Sequence, residues 1–79
     1  MRLPRDISAS ELIKLLEKSG YQIGRQKGSH IRLTTTRHGE HHITIPNHNP
    51  IRLGTLSSII TDIANHFKKA KEEIAKEVF

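Results

Sequence analysis

The sequence predicts an α+β fold in which a helix, three antiparallel strands and a second helix follow one another. Within residues 21–45, apolar and polar side chains alternate in three segments, which is the period of a half-buried strand. The segments on either side, residues 11–16 and 56–67, repeat apolar residues at helical spacing instead. Because each strand would present one apolar face, we expect the helices to cover one face of a three-stranded sheet.

The first helix is predicted to begin at Ser8 or Ser10, since a serine oxygen can accept a hydrogen bond from a first-turn N–H. Glu11 would lie in the first turn, where the helix dipole favours an acid. Its apolar positions are Leu12, Ile13, Leu15 and Leu16. Gly20 is expected to end this helix.

The three strands are predicted from alternation alone, with a tight turn at Gly28, a second turn over residues 37–40, and an end at Pro46. The side chains expected to face the helices are those of Tyr21, Ile23, Ile31, Leu33, Ile43 and Ile45. The side chains expected on the other face, called the outer face below, are those of His30, Arg32, Thr34, His42 and Thr44. The pattern therefore predicts a polar sheet surface that carries two imidazoles and a guanidinium.

Residues 46–54 are rich in proline and asparagine, which is typical of an irregular connection. Thr55 is predicted to cap the second helix. The apolar stripe of that helix consists of Leu56, Ile59, Ile60, Ile63, Ala64 and Phe67. Residues 65–79 either continue the helix or form a separate third helix after a break near Asn65 and His66, and the left-handed tolerance of asparagine favours the break.

The positive charge of the chain is concentrated in its middle. The whole sequence has a net charge of +5, and residues 21–61 hold five basic residues against the single acid Glu40. Five of the six histidines also lie in this segment. A local excess of cations is what binding to a polyanion requires, so nucleic acid is the first partner to consider. A basic surface that only keeps the protein soluble is the alternative.

The composition excludes several classes of protein. Without cysteine, the chain can form neither a disulfide nor a thiolate metal site, and we expect a reducing compartment. The N-terminal residues lack the apolar region of a signal peptide, and no stretch approaches the roughly 18 apolar residues of a membrane span. We therefore expect a soluble cytoplasmic protein.

His30 is the candidate with the clearest chemistry. It follows a glycine and a serine at the start of the second strand, with cations on both sides in the segment RQKGSHIRL. RNA can be cut when one group removes the proton of a 2′-hydroxyl and others stabilise the charge on phosphorus. Histidine suits the first task because it titrates near neutral pH. Spacing alone does not separate this hypothesis from an inert surface histidine.

Two longer segments, SASELIKLLEKSGYQIGRQKGSHIRL and HHITIPNHNPIRLGTLSSII, resemble the HicA toxins of prokaryotic toxin–antitoxin pairs, which are small ribonucleases that cleave messenger RNA. The resemblance covers about residues 8–64. The matching pieces are Gly20-Tyr21, Arg25-Gln26-Lys27-Gly28-Ser29-His30, Pro46-Asn47-His48 and Gly54-Thr55. All four occur in the family's order at suitable spacing.

The resemblance implies a fold similar to the double-stranded-RNA-binding domain and a metal-independent endoribonuclease without a cofactor, in which His30 is catalytic. It also implies a HicB-like antitoxin as partner, and it leaves open a homo-oligomer in the antitoxin complex. One HicA-like domain is expected over residues 1–79, with a core at about 8–64 and a helical extension at 65–79. The residues expected to bind RNA or position the phosphate are Lys27, Gly28, Ser29, Arg32 and Arg25.

Other residues leave alternatives open. Alternation puts Arg25 on the face of Tyr21 and Ile23, where it would support the site from behind. His48 could be a second acid–base group if its loop folds toward His30, or it could merely cap the loop.

A metal site is the second open question. The residues that suggest one are His38, His41, His42 and His48. Adjacent strand residues point to opposite faces, however, which argues against a shared ion and predicts no metal site. The rival functions are an RNA-binding module of the same fold without catalysis and, less favoured, a protein-interaction adaptor.

Overall fold

The computed structural model describes residues 3–79 and has the predicted α+β order. Its elements are α1 (Ala9–Lys18), β1 (Gln22–Lys27), β2 (His30–Thr35), β3 (His41–Pro46), α2 (Leu53–Phe67) and α3 (Lys71–Val78). The C-terminal residues thus form a separate helix, which decides between the two alternatives for this segment. Residues 1 and 2 of the predicted domain lie outside the described part of the chain. Within residues 3–79, no helix is both long enough and apolar enough to cross a membrane.

The sheet has the order β1-β2-β3 with both neighbouring pairs antiparallel. In the central pair, Ile31 lies opposite Ile45 and Leu33 lies opposite Ile43, and all four side chains are buried. The strand residues predicted for the outer face are exposed or half-buried. The predicted division of β2 and β3 into a covered face and an open face is therefore confirmed.

Helix α1 begins as predicted from one of its two candidate serines. Ser8 has extended backbone geometry, and its hydroxyl accepts a hydrogen bond from the Glu11 N–H at 3.1 Å. The Glu11 carboxylate in turn accepts a hydrogen bond from the Ser8 N–H at 3.3 Å. This reciprocal arrangement is a capping box, which satisfies two backbone donors at once.

The predicted start of α2 at Thr55 is wrong, because the backbone is already helical at Leu53. The Leu56 N–H donates to the Arg52 carbonyl at 2.9 Å, so Arg52 is the residue at the N-terminal boundary. Just before it, Ile51 is buried and its N–H donates to the Ile7 carbonyl at 2.8 Å. This anchor fixes the direction of the chain ahead of the helix and leaves Thr55 inside the first turn.

The break between α2 and α3 occurs at Lys68, two residues beyond the predicted position. Lys68 adopts a left-handed conformation with φ of 55°, and its N–H donates to the Ala64 carbonyl. The chain then turns so that Ile74 and Val78 of α3 become buried in the same core as α2. An ion pair between Lys69 Nζ and Glu77 Oε1, 2.7 Å long, spans the turn and α3.

Ile23 lies on the predicted face of the sheet, but the helices do not bury it as expected. Ile23 is opposite Leu33 in the register, which places both side chains on the same face of the sheet. Leu33 is fully buried, whereas Ile23 is 54% exposed. Strand β1 is an edge strand, and every residue in it is exposed. The helices therefore cover one face of β2 and β3 but leave the side chains of β1 exposed.

Replacing Gly20 with alanine should destabilise the protein by about 1–3 kcal/mol. Gly20 has φ of +103°, which an L-residue rarely adopts, and an added Cβ would lie 2.5 Å from Arg37 Nε. The Arg37 side chain would have to move and give up its hydrogen bond to the Ser19 carbonyl. Urea denaturation monitored by circular dichroism measures the change.

Gly39→Ala is the matched control for this substitution. Gly39 has a similar φ of +96°, but an added Cβ would have no neighbour within 4 Å. The loss at Gly20 should therefore exceed the loss at Gly39. Equal losses in the two variants would mean that the contact with Arg37 has no energetic weight.

Candidate active site

His30 lies at the tip of the β1–β2 hairpin, directly opposite Lys27. These two residues are the last antiparallel pair of the ladder, and only Gly28 and Ser29 connect them. Gly28 has φ of +59°, which matches the need for glycine at the first central position of a two-residue hairpin turn of type II′. Side chains of directly opposed residues share a face of the sheet. The tight turn therefore brings the lysine and the imidazole together on the outer face.

Arg25 lies on the outer face too, which corrects the prediction from alternation. The register of β1 shifts between Ile23 and Arg25, so that Gly24 is an additional residue in the strand and Arg25 is paired with Arg32. A β-bulge of this kind moves every following side chain to the other face. As a result Arg25 does not support the site from behind but lies beside Arg32 on its surface.

The basic side chains of this face are available to a ligand. Lys27, Arg25 and Arg32 are all exposed. In the part of the chain that the structure describes, none of the three has a carboxylate within 4.0 Å, since the ion pairs there are formed by other residues. The outer face therefore presents cations without a carboxylate partner next to His30. Lys27 is paired with His30 itself, and the paired Arg25 and Arg32 form the next row, called the arginine row below.

The loop after β3 folds back beside the hairpin tip. His30 is opposite Pro46 in the β2–β3 register, and the Asn47 N–H donates to the Ser29 carbonyl at 2.6 Å. His48 follows directly, with its N–H donating to the Pro46 carbonyl at 2.8 Å and its own carbonyl accepting from the Ala9 N–H at 3.2 Å. The structure thus brings the His48 backbone close to the candidate site. Its imidazole is exposed and has no hydrogen bond to another described residue.

A shallow depression of about 300 Å³ adjoins the arginine row. It is lined by Gly24, Arg25, Arg32, Thr34 and His42. Within it, Thr34 Oγ1 and His42 Nδ1 are 2.8 Å apart, and His42 Nε2 is 3.2 Å from Glu40 Oε2. Alternation correctly predicts that Thr34 and His42 lie on this face. It does not predict the contacts that link Thr34, His42 and Glu40. The pairing of Thr34 with His42 across the two strands could have suggested the first of these contacts.

His41 belongs to the opposite face and has a structural environment. Its Nδ1 is 2.8 Å from the Tyr21 hydroxyl, and its Nε2 is 3.3 Å from Asp62 Oδ1 on α2. A carboxylate can only accept, so in the neutral tautomer of this ring Nε2 carries the proton and the phenol donates to Nδ1. Burial raises the pKa of Tyr21, and the negative charge of Asp62 raises it further, which keeps this hydroxyl protonated. The ring of His41 also stacks on His66 at a centroid distance of 4.3 Å.

These positions bear on the metal hypothesis. His41 and His42 point to opposite sides of the sheet, as predicted from their adjacency, and each is engaged by its own partners. His38 lies in the β2–β3 turn, with its ring nearly perpendicular to that of Phe67 at a centroid distance of 5.3 Å. Across residues 3–79, the structure contains no group of three or more histidine or carboxylate side chains arranged to hold a metal ion.

The comparison with known families agrees with the motif positions. The family model described as the HicA toxin of bacterial toxin–antitoxin pairs matches residues 9–64, well over half of the chain. This match runs from the first residue of α1 through all three strands into α2 and includes the hairpin tip and the loop after β3. Neither the search of curated proteins nor the search of solved structures gave a significant match. The chain therefore belongs to the HicA toxin family.

Proposed function

We propose that this protein is an endoribonuclease toxin that cleaves messenger RNA in the cytoplasm without a metal or cofactor, with His30 as its catalytic acid–base group. The observation that carries the proposal is the pairing of His30 with Lys27 across a two-residue turn on an open, cationic sheet face. An exposed imidazole next to a free cation has what cleavage of a phosphodiester requires, a proton acceptor beside a site for the phosphate.

The chemistry follows from this arrangement. His30 removes the proton of a ribose 2′-hydroxyl, and the 2′-oxygen attacks the adjacent phosphorus. The bond from phosphorus to the 5′-oxygen of the next nucleotide breaks, and that oxygen takes up a proton. The products are a 2′,3′-cyclic phosphate and a 5′-hydroxyl end. His48 is the proposed donor of the second proton, because the backbone of its loop is hydrogen-bonded to Ser29.

The neighbours of His30 hold and stabilise the reacting phosphate. Lys27 is the closest cation along the ladder, and Arg32 and Arg25 supply the next row. The Ser29 hydroxyl and the Gly28 N–H lie in the turn itself, where small polar groups can approach a phosphate closely. Open space surrounds Gly28, since a Cβ added there would have no neighbour within 4 Å, so a substrate strand can pass over the turn.

Membership of a toxin–antitoxin family implies an antitoxin partner for this chain. We propose that this partner is HicB-like and acidic and that it covers the same outer face, because the cations there have no partner of their own among the described residues. Inhibition would then result from exclusion of RNA.

The direct test is incubation of the purified full-length protein with single-stranded RNA in the presence of EDTA. We expect cleavage, fragments that end in a 2′,3′-cyclic phosphate, and no cleavage of a strand whose riboses are all 2′-O-methylated. Binding of RNA without any cleavage would favour the alternative of an RNA-binding module. Cleavage of the methylated strand would contradict attack by the 2′-hydroxyl.

A further inference from the structure

The depression lined by Arg25, Arg32 and Thr34 lies one step from the proposed catalytic hairpin along the outer face. Arg32 is two residues from His30 on the same strand, and alternate residues of a strand share a face about 6.5 Å apart. That distance is comparable to the spacing of neighbouring phosphates along an RNA strand. A substrate bound at His30 would therefore place its adjacent nucleotide over this depression.

When the His42 ring is neutral, its contacts set the hydrogen-bonding direction of the Thr34 hydroxyl in this depression. The Glu40 carboxylate, 3.2 Å from His42 Nε2, can only accept, so the proton of a neutral His42 ring is on Nε2. His42 Nδ1 is then an acceptor, and the Thr34 hydroxyl donates to it over 2.8 Å. With its only proton engaged, the Oγ1 atom of Thr34, which lines the depression, can accept a hydrogen bond but cannot donate one.

Gly24 keeps that oxygen accessible. The bulge places Gly24 next to Thr34 in the lining, and a Cβ added to Gly24 would lie 3.5 Å from Thr34 Oγ1. Even the first carbon of a side chain at this position would be in van der Waals contact with the hydroxyl oxygen. The same bulge brings Arg25 to the rim of the depression, so one irregularity in β1 creates both the opening and half of its positive charge.

We propose that this depression is a second nucleotide subsite, in which Arg25 and Arg32 bind a phosphate and Thr34 Oγ1 accepts a hydrogen bond from the ribose 2′-hydroxyl of the same RNA strand. His42, held by Glu40, is a positioning residue that sets the direction of the Thr34 hydroxyl. A 2′-hydroxyl is the group that distinguishes RNA from DNA at a given position. The subsite therefore selects RNA at the binding step, before any cleavage, and this location for the second nucleotide rests on the proposed function of His30.

The test measures binding of the full-length His30→Ala protein, which should not cut its ligand, to two strands of identical base sequence. One strand is RNA and the other carries 2′-fluoro groups, which cannot donate a hydrogen bond. We expect RNA to bind about 5-fold more tightly, the effect of one hydrogen bond. Thr34→Val in the same background should remove this preference, and Thr34→Ser, which keeps the hydroxyl, should preserve it.

Arg32→Gln separates the phosphate contact from the ribose contact. It should weaken binding of both strands equally and reduce the slope of log K against log salt by about 0.7, the value for one phosphate contact on a single strand. Equal binding of both strands by the parent, no binding of either strand, or a preference that survives Thr34→Val would overturn the subsite. So would an effect of these substitutions on antitoxin binding alone, which would make the depression a protein contact.

These outcomes are distinguishable from failure of the proposed function. If the unaltered protein never cuts RNA but its His30→Ala form shows a binding preference that depends on Thr34, the nuclease proposal is contradicted and the subsite is supported. If the unaltered protein cuts RNA but its His30→Ala form binds both strands equally, the nuclease is supported and the subsite is contradicted.

Discussion

Replacement of His30 by alanine is expected to lower the rate of RNA cleavage by about 10²- to 10⁴-fold, the usual contribution of one positioned acid–base group. The methyl group of alanine cannot accept the 2′-hydroxyl proton. The His30 side chain is exposed, so its loss should leave the thermal unfolding midpoint nearly unchanged. Single-turnover cleavage of a labelled RNA, with enzyme in excess, isolates the chemical step from product release.

His38→Asn is the appropriate control for this substitution. His38 is also an exposed histidine, but it lies in the turn at the other end of β2. Its φ of 56° is left-handed, and asparagine tolerates this conformation well. The control variant should cleave at the parent rate. If His30→Ala also cleaved within about 3-fold of the parent rate, His30 would not be the acid–base group, and the proposed mechanism would fail.

The two strands that supply the buried side chains of the sheet, β2 and β3, could be predicted from the sequence because their two faces differ in chemistry. In β2 and β3, apolar residues such as Leu33 and Ile43 alternate with polar ones, and a shift by one residue would bury the polar set. Short turns on both sides then leave little freedom in the pairing. The face that holds His30 was therefore predictable from residue types alone.

The β-bulge in β1 was not predictable in the same way. Gly24 is compatible with a regular strand as well as with a bulge, and alternation of Tyr21 and Ile23 gives no warning of a shift just after them. The consequence for function is direct, because the bulge decides whether Arg25 faces the helices or the proposed RNA surface. Its position depends on how the edge strand pairs with β2, which a local pattern does not contain.

The helix boundaries that differ from prediction depend on tertiary contacts. Lys68 takes a left-handed conformation without glycine or asparagine at that position, and the burial of Ile74 and Val78 in the common core favours this geometry. In the same way, the sequence could not show which histidines have a structural role and which are free to act on a ligand. The contacts that make His41 a structural residue come from Asp62 on α2, more than twenty positions away.

Leu33→Ala should destabilise the protein more than Gly20→Ala or Ile23→Ala does, with a loss of about 2–5 kcal/mol. Leu33 is 0% exposed at the centre of the middle strand, so its truncation leaves a cavity that the surrounding core cannot easily fill. A domain of this size has a total stability of only about 4–12 kcal/mol. A large fraction of the variant should therefore unfold at moderate temperature. Its urea midpoint, at unchanged slope, gives the loss directly.

Ile23→Ala provides the comparison on the same face. Ile23 is the direct cross-strand neighbour of Leu33, but more than half of its side chain surface is exposed on the uncovered edge strand. Its truncation should cost less than about 1 kcal/mol, the span of strand propensities, since little apolar contact is lost. The two substitutions thus separate burial from position in the register. Equal losses would mean that the helices cover β1 as alternation predicted, and that the opening of the sheet on this side, with the accessibility it gives to Arg25, is not a property of the folded protein.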